Sequence, residues 1–278
     1  MCSYGKNSSN LTKKYQQKSI AKYTRYKDKT MDFNNKVAVI TGSHKGIGLA
    51  IARKLALQEN IRVIITSRQK SDGMIAEQIK AEGIEADYHQ LDITVTDSIT
   101  QFIEWVTSTY GRIDILVNNA GVNNSNTKGE QSILTATSET MLDTFAINAI
   151  GTLRMCQAVI PLMQQREFGR IVNVSTEMAS LQKLIGDYYP LSPSYRVSKV
   201  ALNAIATLLA KELKNTNILV NNYSPGWTKT DIGGENAFYT PAEAAETAVY
   251  LATLPDSSHQ GGFFAEMRKS GEPVELPW

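Results

Sequence analysis

The 278-residue sequence contains few of the residues that build disulfides and metal sites. It has two cysteines, Cys2 and Cys156, and three histidines, His44, His89 and His259. Two cysteines cannot form the disulfide framework of a small secreted protein, and they indicate a reducing compartment, which we take to be the cytoplasm. The histidines have no metal-ligand spacing, so no metal site is expected. No run of about 18 apolar residues is present, and no membrane span is predicted.

Basic residues are concentrated at the N-terminus. Residues 1–30 contain eight Lys or Arg and one acidic residue, Asp28. Removing them from the totals of 29 basic and 27 acidic residues leaves 21 and 26, so the remaining chain carries a net charge of about −5. Residues 1–32 have no apolar periodicity and are predicted to be a disordered basic extension. This extension could arise from an upstream start or a non-native leader, be a native tail, or be a targeting segment.

The remaining residues, 33–278, are predicted to form one domain. Beyond the segments discussed below, helical patterns cover roughly 71–82, 96–110, 138–160, 193–214 and 241–253, with strand patterns near 86–91, 217–223 and 261–266. Alternating strands and helices imply right-handed crossovers. The predicted fold is α/β, a single-domain Rossmann-like doubly wound parallel sheet of about seven strands in the order 3-2-1-4-5-6-7, with helices on both faces. Pro161 is expected to bend or end its helix.

A glycine-rich turn follows the first predicted strand. Val37–Ile40 is a branched apolar run, Thr41–Gly48 contains three glycines, and Leu49–Ala56 has helical spacing. Glycines permit a tight turn and a close approach to a pyrophosphate, which the helix N-terminus attracts. The spacing is Gly-x-x-x-Gly-x-Gly rather than the standard fingerprint. The predicted dinucleotide contacts of this turn are Gly42, Ser43, Lys45, Gly46, Ile47 and Gly48.

The end of the next strand, Arg62–Thr66, indicates which dinucleotide binds. An acidic residue there suits the bare ribose of NAD(H), whereas arginine suits the 2′-phosphate of NADP(H). Here Ser67 and Arg68 follow the strand, and Lys45 adds a second cation. We therefore predict NADP(H), the alternative being that both cations are solvated surface charges. His44 could contact phosphate or face solvent.

Two later strands deliver polar side chains at their carboxyl ends, where ligands bind in a doubly wound sheet. One strand leads into Asn118-Asn119-Ala120-Gly121, and the strand from Gly169 to Val174 leads into Ser175. We expect Asn118 to bridge neighbouring strand ends and Ala120-Gly121 to leave the backbone open to a cofactor.

Tyr195 and Lys199 are four residues apart on a predicted helix and therefore share one face. The Lys199 ammonium can stabilise a phenolate, which brings a phenol with an ordinary pKa of about 10 into use near neutrality. Alone this pair is weak evidence, because Tyr-x-x-x-Lys also occurs by chance.

In their order and spacing, these motifs resemble the short-chain dehydrogenase/reductase family from about Asn34 onward. The matching segments are Thr41–Gly48, Asn118–Gly121, Ser175, Tyr195 with Lys199, and Pro225-Gly226. Within the family, the segments 225–231 and 245–252 most resemble NADPH-dependent carbonyl reductases.

The resemblance implies a role for each catalytic candidate. Tyr195 would protonate the carbonyl oxygen, Ser175 would hydrogen-bond it, and Lys199 would bind the nicotinamide ribose and lower the pKa of Tyr195. Asn148 would complete a proton relay through water, the alternative being an amide that satisfies a local helix kink. Asp92 would contact the adenine amino group and Thr230 the nicotinamide carboxamide. Beyond the glycine turn, the implied cofactor contacts are Arg68, Asp92, Ile93, Asn119, Ala120, Gly121, Tyr195, Lys199, Pro225, Gly226, Trp227, Thr228 and Thr230.

The sequence says less about the substrate. Candidate walls of an apolar pocket, which could instead pack residues 181–190 against the body, are Met178, Leu181, Leu184, Ile185, Tyr188, Tyr189 and Trp227. Residues 181–190 could line the substrate mouth or cover part of a dimer face. Residues 231–236 form a glycine-hinged loop that could close over the substrate.

We expect an NADPH-dependent oxidoreductase that reduces an aldehyde, ketone or quinone, with steroids and terpenoids left open. One alternative is an NADP-dependent alcohol dehydrogenase working in the oxidative direction. Another is a regulator that senses NADP(H) without turnover, although such proteins usually lose the tyrosine or lysine. The resemblance also implies a homodimer or homotetramer, and we expect no nucleic-acid or membrane partner.

Overall fold

The computed structural model describes residues 33, 35–186, 189–255, 259–267 and 271–278. The predicted basic extension, 1–32, lies outside the described residues. The strands are β1 Val37–Ile40, β2 Arg62–Ser67, β3 Ala86–Gln90, β4 Ile115–Asn118, β5 Gly169–Val174, β6 Ile218–Tyr223 and β7 Phe263–Phe264. The helices are α1 Gly46–Glu59, α2 Met74–Ala81, α3 Thr96–Tyr110, α4 Asn124–Thr127, α5 Ser138–Gln165, α6 Pro193–Glu212 and α7 Pro241–Ala252. Three 3₁₀ turns cover Lys70–Gly73, Glu177–Ala179 and Gln182–Ile185.

The seven strands form one parallel sheet in the order β3-β2-β1-β4-β5-β6-β7, which confirms the predicted topology. The chain reverses its direction of winding between β1 and β4, which are neighbours through Ala38 and Ile115. Ligands bind in the crevice outside the carboxyl ends of the strands at such a switch point. The glycine turn after β1 and the Asn118–Gly121 segment after β4 therefore meet there.

Branched apolar residues explain why the central strands are buried on both faces. Every residue of β1 and β4 is buried, as expected for a parallel sheet covered by helices. On one face the side chains of Ile40 and Val117 pack with α1 and α7 residues, and on the other Val39 and Leu116 pack with residues of α3, α5 and α6. This two-sided core holds the carboxyl edge of the sheet in place.

Helix α5 is longer than predicted and contains an irregular turn. It runs to Gln165 with Pro161 inside it, so of the two outcomes predicted for Pro161, a bend or an end of the helix, the end is wrong. The proline lies within the last turn and a half, so only a few residues follow the missing backbone hydrogen bond. Residues Ala146–Gly151 form a π-helical turn, which displaces the backbone at Asn148.

Among the described helices, α5 alone is long and apolar enough to cross a membrane. Its side chains Met155, Cys156, Val159 and Met163 are, however, packed in the core against the sheet. A core helix of a globular domain passes the same test of length and composition, so this is weak evidence for a span.

Candidate functional site

The glycine turn presses directly against the segment that follows β4. Gly42 has a φ of 61°, and a Cβ there would lie 3.0 Å from the Cα of Ala120. A Cβ on Gly48 would lie 2.5 Å from the side-chain nitrogen of Asn119. That nitrogen donates hydrogen bonds of 2.9 Å to the carbonyls of Thr41 and Gly42. Glycine is thus required by both backbone conformation and space, and Asn119 fixes the shape of the turn.

The turn leaves the start of α1 open to a ligand. Lys45 occupies the N-cap position but makes no side-chain capping hydrogen bond. A Cβ on Gly46 would meet only the methyl group of Thr230, at 3.5 Å. The N–H groups at this end of the helix have no capping side chain, and the glycine beside them has no side chain at all. Because this is the positive end of the helix dipole, it favours the binding of an anionic group. Within the described residues, this cradle fits the pyrophosphate of a dinucleotide.

Cations predicted to bind a 2′-phosphate lie near this cradle. Arg68 is exposed just beyond the end of β2. The Nζ of Lys45 lies 2.7 Å from an Asp231 carboxylate oxygen, and the imidazole of His44 lies 3.7 Å from an Asp72 oxygen. Neither acidic partner was foreseen from the sequence, because each comes from a separate loop. Lys45 also lowers the pKa of the Asp231 carboxyl.

A ladder of buried amides joins the carboxyl ends of β4, β5 and β6. The amide nitrogen of Asn118 donates to the Asn173 carbonyl oxygen at 2.8 Å, which confirms the predicted bridge between strand ends. Asn173 donates in turn to Asn222 at 2.8 Å, and Asn222 to Asn203 at 3.2 Å. The ladder extends the sheet through side chains and makes this edge rigid. Asn118 also donates to the Sγ of Cys156, a buried thiol on α5.

The structure places Ser175 differently from the prediction. Ser175 is buried, and its hydroxyl donates to the Asn203 carbonyl oxygen at 2.7 Å, at the end of the amide ladder. The next residue, Thr176, is half-buried, and its hydroxyl lies close enough to the Tyr195 phenol to lower the pKa of that phenol. Strand β5 ends at Val174, as predicted, and successive side chains of an extended segment point in opposite directions. Thr176, and not Ser175, is therefore the hydroxyl beside the Tyr195 phenol.

Helix α6 brings Tyr195 and Lys199 to the same face, as predicted. The Nζ of Lys199 is buried and donates to the Val174 carbonyl at 2.7 Å. It also lies 3.4 Å from the point where a Cβ on Gly121 would stand. Asn148 Oδ1 lies 3.1 Å from that same point, so Lys199 and Asn148 converge on one glycine. A side chain at position 121 would wedge between them.

The π turn of α5 explains the position of Asn148. Its amide nitrogen donates to the Val122 carbonyl at 2.8 Å and to the Ser198 hydroxyl at 2.9 Å, while its oxygen accepts from the Val122 N–H at 2.9 Å. The two roles predicted for Asn148, a member of a proton relay and an amide that satisfies a helix kink, are thus compatible. The kink presents the amide to the loop beside Lys199. These contacts clamp the Gly121 backbone against α5 and α6.

Burial dominates the electrostatics of the pair. It raises the pKa of Tyr195 to about 12, with a smaller opposing contribution from the Thr176 hydrogen bond. It lowers the pKa of Lys199 to about 8. The predicted lowering of the Tyr195 pKa by Lys199 is not seen, because the ammonium is directed to the Val174 carbonyl. Without a bound ligand, Tyr195 therefore remains protonated at all pH values near neutrality.

The lowered pKa of Lys199 predicts a specific pH dependence of stability. Between pH 8 and 10 the unfolded chain, with a lysine pKa of about 10.4, holds a proton that folded Lys199 has lost. The free energy of unfolding should therefore rise with pH in this window, by about 2 kcal/mol. We expect Lys199→Met to lack this rise and the exposed Lys128→Met to keep it, as measured by urea denaturation. Equal slopes in all three proteins would contradict the buried-ammonium account.

The remaining predicted cofactor residues lie around the cradle. Asp92 follows β3, and its carboxylate accepts from the N–H of Thr94 at 2.8 Å, which shapes the turn there. Ile93 is buried and packs on Gly151 of α5. Thr228 donates to the Pro225 carbonyl at 3.1 Å, and the Thr230 hydroxyl accepts from the Gly233 N–H at 3.1 Å. These two threonines stabilise the loop that begins at Pro225 and passes over Gly46.

Apolar residues with exposed surface border the open side of the site. Trp227 is 46% exposed and packs edge-on against Phe238, which is 74% exposed, with ring centroids 5.0 Å apart. The Trp227 indole donates to the Gly233 carbonyl at 2.7 Å and so ties the predicted loop, 231–236, to this aromatic pair. Leu181, Leu184 and Tyr189 are also exposed. Tyr188 and the side chain of Ile185 lie outside the described residues.

This fold and cradle define the class of Rossmann-fold dinucleotide-binding proteins. The profile of the short chain dehydrogenase family matches residues 36–237, which is more than half of the sequence. The chain belongs to the short-chain dehydrogenase family.

Two relatives and one solved structure illustrate the similarity. The chain is 32% identical over 290 residues to (+)-neomenthol dehydrogenase of Arabidopsis thaliana, covering 84% of this chain and 97% of that protein. It is 32% identical over 275 residues to human carbonyl reductase [NADPH] 1, covering 84% and 96%. A metagenomic short-chain oxidoreductase crystallised in complex with NADP superposes with a TM-score of 0.70 at 29% identity, covering 85% and 99%.

Proposed function

We propose that this protein is an NADPH-dependent reductase that converts the carbonyl group of an aldehyde, ketone or quinone to an alcohol. The carrying observation is that the phenol of Tyr195 lies beside the Thr176 hydroxyl and on the same helix face as buried Lys199. This arrangement lies at the switch point of the sheet, beside the glycine cradle. The names of the plant and human relatives, a dehydrogenase and an NADPH-dependent carbonyl reductase, support the same reaction class.

The protonation state of Tyr195 favours the reductive direction. A carbonyl that accepts hydride needs a proton at its oxygen, and Tyr195, with its pKa raised to about 12, keeps one at neutral pH. Oxidation of an alcohol needs the opposite, a phenolate that can accept a proton. The alternative of an alcohol dehydrogenase therefore requires a bound ligand to lower this pKa substantially. Comparing the pH optima of reduction and oxidation would separate the two directions.

The proposed mechanism assigns one task to each residue. Thr176 and Tyr195 hydrogen-bond the carbonyl oxygen, and Tyr195 transfers its proton to that oxygen as negative charge develops. Lys199 holds a ribose hydroxyl of the dinucleotide and returns a proton to Tyr195, and Asn148 fixes the backbone beside Lys199. When bound, the reduced nicotinamide supplies the hydride. Ser175 holds the end of β5 through Asn203 and takes no direct part.

Cofactor choice rests on Arg68 and Lys45. A charge-assisted hydrogen bond to phosphate contributes roughly 1.5–3 kcal/mol, which corresponds to about 10- to 150-fold in affinity. Arg68→Glu replaces attraction by repulsion, so KM for NADPH should rise about 100-fold while KM for NADH changes by less than about 3-fold. The control is Arg166→Glu, which makes the same change of charge at an exposed arginine directly after the end of α5. Equal losses for both cofactors in Arg68→Glu would mean that the phosphate contact lies elsewhere.

The substrate class follows from the border of the site. Trp227, Phe238 and Leu181 present exposed apolar surface on the segments that follow β5 and β6. An apolar carbonyl compound is therefore favoured over a phosphorylated one. Reduction of a homologous series of aldehydes should show kcat/KM rising with apolar bulk. A preference for anionic substrates would contradict this part of the proposal.

The alternative of a non-catalytic NADP(H) sensor needs the same cradle but not the proton donor. Retention of Tyr195, Lys199, Asn148 and a Thr176 hydroxyl argues against it.

We place the protein in the cytoplasm as part of the proposal, supported by the free buried thiol of Cys156. Any homodimer or homotetramer likewise remains a prediction from the family resemblance.

A further inference from the structure

The helix that carries Tyr195 begins without a cap of its own. The first N–H groups of any helix have no partner within the helix and must be satisfied from outside. At the start of α6, Pro193 has no N–H, and Ser192 at the N-cap position has a φ of 38° and makes no side-chain capping bond. The N–H groups of Ser194 and Tyr195 therefore need acceptors from another part of the chain.

Glu130, 64 residues before Ser194, supplies those acceptors. One carboxylate oxygen accepts from the Ser194 N–H at 3.0 Å, and the other accepts from the Ser194 hydroxyl at 3.0 Å. The Ser125 hydroxyl donates to Glu130 at 2.6 Å and accepts from the Tyr195 N–H at 3.3 Å. Both unsatisfied N–H groups thus end at one carboxylate, directly or through a buried serine.

The charge of Glu130 suits this position. Partial burial works against the charged form, but hydrogen bonds from Ser125, Ser194 and Thr137 outweigh it and lower the pKa of the carboxyl. A negative charge at the positive end of α6 is also stabilised by the helix dipole. The α6 helix has no acidic residue in its own first turn. Glu130 therefore remains ionised at neutral pH and replaces the missing cap.

The network borders an open cleft rather than the packed core. Glu130 and Ser125 line this cleft together with Pro190, Leu191 and Ser192, the residues that lead into α6. Packing from that side is therefore incomplete, and the hydrogen bonds decide where the first turn of the helix lies. Tyr195 is in that turn, whereas Lys199 is one turn further along and is held by Val174.

We propose that Glu130 is a positioning residue that, through Ser125 and Ser194, sets the location of the Tyr195 phenol relative to Lys199. This inference rests on the proposed function, because it takes Tyr195 to be the proton donor. A displacement of a reacting group by about 1 Å can cost about 100-fold in rate. Loss of the anchor should therefore affect kcat much more than cofactor binding, since the cradle lies on other elements.

Glu130→Gln tests this inference with little change in volume. The negative charge at the start of α6 is lost, and one acceptor oxygen becomes an NH₂ group, so the Ser194 hydroxyl loses its acceptor when the other oxygen keeps the Ser194 N–H and Ser125. We expect kcat for carbonyl reduction to fall about 10- to 100-fold, with KM for NADPH changed by less than about 3-fold. Ser125→Ala should lower kcat in the same way, and the double variant should lose no more than the worse single variant, since both act through one network. Glu104→Gln, on the exposed face of α3, should behave as wild type.

Three results would overturn the inference: an unchanged kcat in Glu130→Gln, additive losses in the double variant, or equal losses in kcat and NADPH affinity from a general structural defect. Amide hydrogen exchange distinguishes this failure from failure of the proposed function. If the wild-type protein reduces no carbonyl, the proposed function fails. Faster exchange confined to residues 194–198 in Glu130→Gln would still support the anchor, and unchanged exchange there would overturn it.

Discussion

Replacing Tyr195 by phenylalanine should reduce carbonyl turnover by at least about 1,000-fold while leaving NADPH affinity within about 2-fold of wild type. The substitution removes one oxygen and keeps the ring, so the packing of α6 is retained. That oxygen carries a proton at neutral pH, since burial raises the pKa of the phenol to about 12. Without it, the developing negative charge on the substrate oxygen has no proton donor.

Two measurements on Tyr195→Phe are needed. Steady-state NADPH consumption gives the loss in kcat, and fluorescence titration of NADPH gives its affinity. Tyr250→Phe is a matched control, because that phenol makes a 3.3 Å hydrogen bond with His259 near the end of α7 and takes no part in the site. Turnover retained in Tyr195→Phe would remove Tyr195 from the chemistry, and the assignment of the site would then be wrong.

Thr176→Val should lower kcat by roughly 100-fold, because it removes a hydroxyl that lies beside Tyr195 and that, in the proposed mechanism, hydrogen-bonds the substrate oxygen. Valine keeps the branched shape, so the turn after β5 should be maintained apart from the 3.3 Å contact of Thr176 with the Met178 N–H. Loss of one preorganised donor from a site that stabilises an oxyanion typically costs about 10²–10³ in kcat. Stopped-flow reduction at saturating NADPH measures this loss.

Ser175→Ala gives the decisive comparison with Thr176→Val. Its hydroxyl is engaged with Asn203, so removal should lower the free energy of unfolding by about 1–2 kcal/mol and leave kcat within about 3-fold. Thr176→Ser should restore most of the activity lost in Thr176→Val. The reverse pattern, in which Ser175→Ala is inactive and Thr176→Val is active, would restore the role that the family resemblance suggested for Ser175.

Much of the fold could be predicted from the sequence, because its local signals agree with one another. Val37–Ile40 was predicted with its observed bounds, since branched residues flanked by glycine specify a buried parallel strand. The order of the seven strands followed from strands alternating with helices and from the family resemblance. The helix containing Pro161 was predicted too short, because a proline near the end of a helix removes only one hydrogen bond.

The site was predicted in its residue types more reliably than in its contacts. Tyr195 and Lys199 share a helix face, a relation that spacing alone determines. The choice between Ser175 and Thr176 depends on where β5 ends, and a shift of one residue reverses the direction of a side chain. Glu130 could not be found from local patterns, because it caps a helix 64 residues away. The raised pKa of Tyr195 depends on burial, which a residue pattern does not report.

The most direct test of this account is the consumption of NADPH and, separately, of NADH by the purified protein across a panel of aldehydes, ketones and quinones. Products would be identified by mass spectrometry. We predict that NADPH is consumed with formation of the corresponding alcohol or hydroquinone for the apolar members of the panel, and that NADH is used much more slowly. Tight binding of NADPH with no product from any carbonyl compound would contradict the account and favour a sensor of NADP(H).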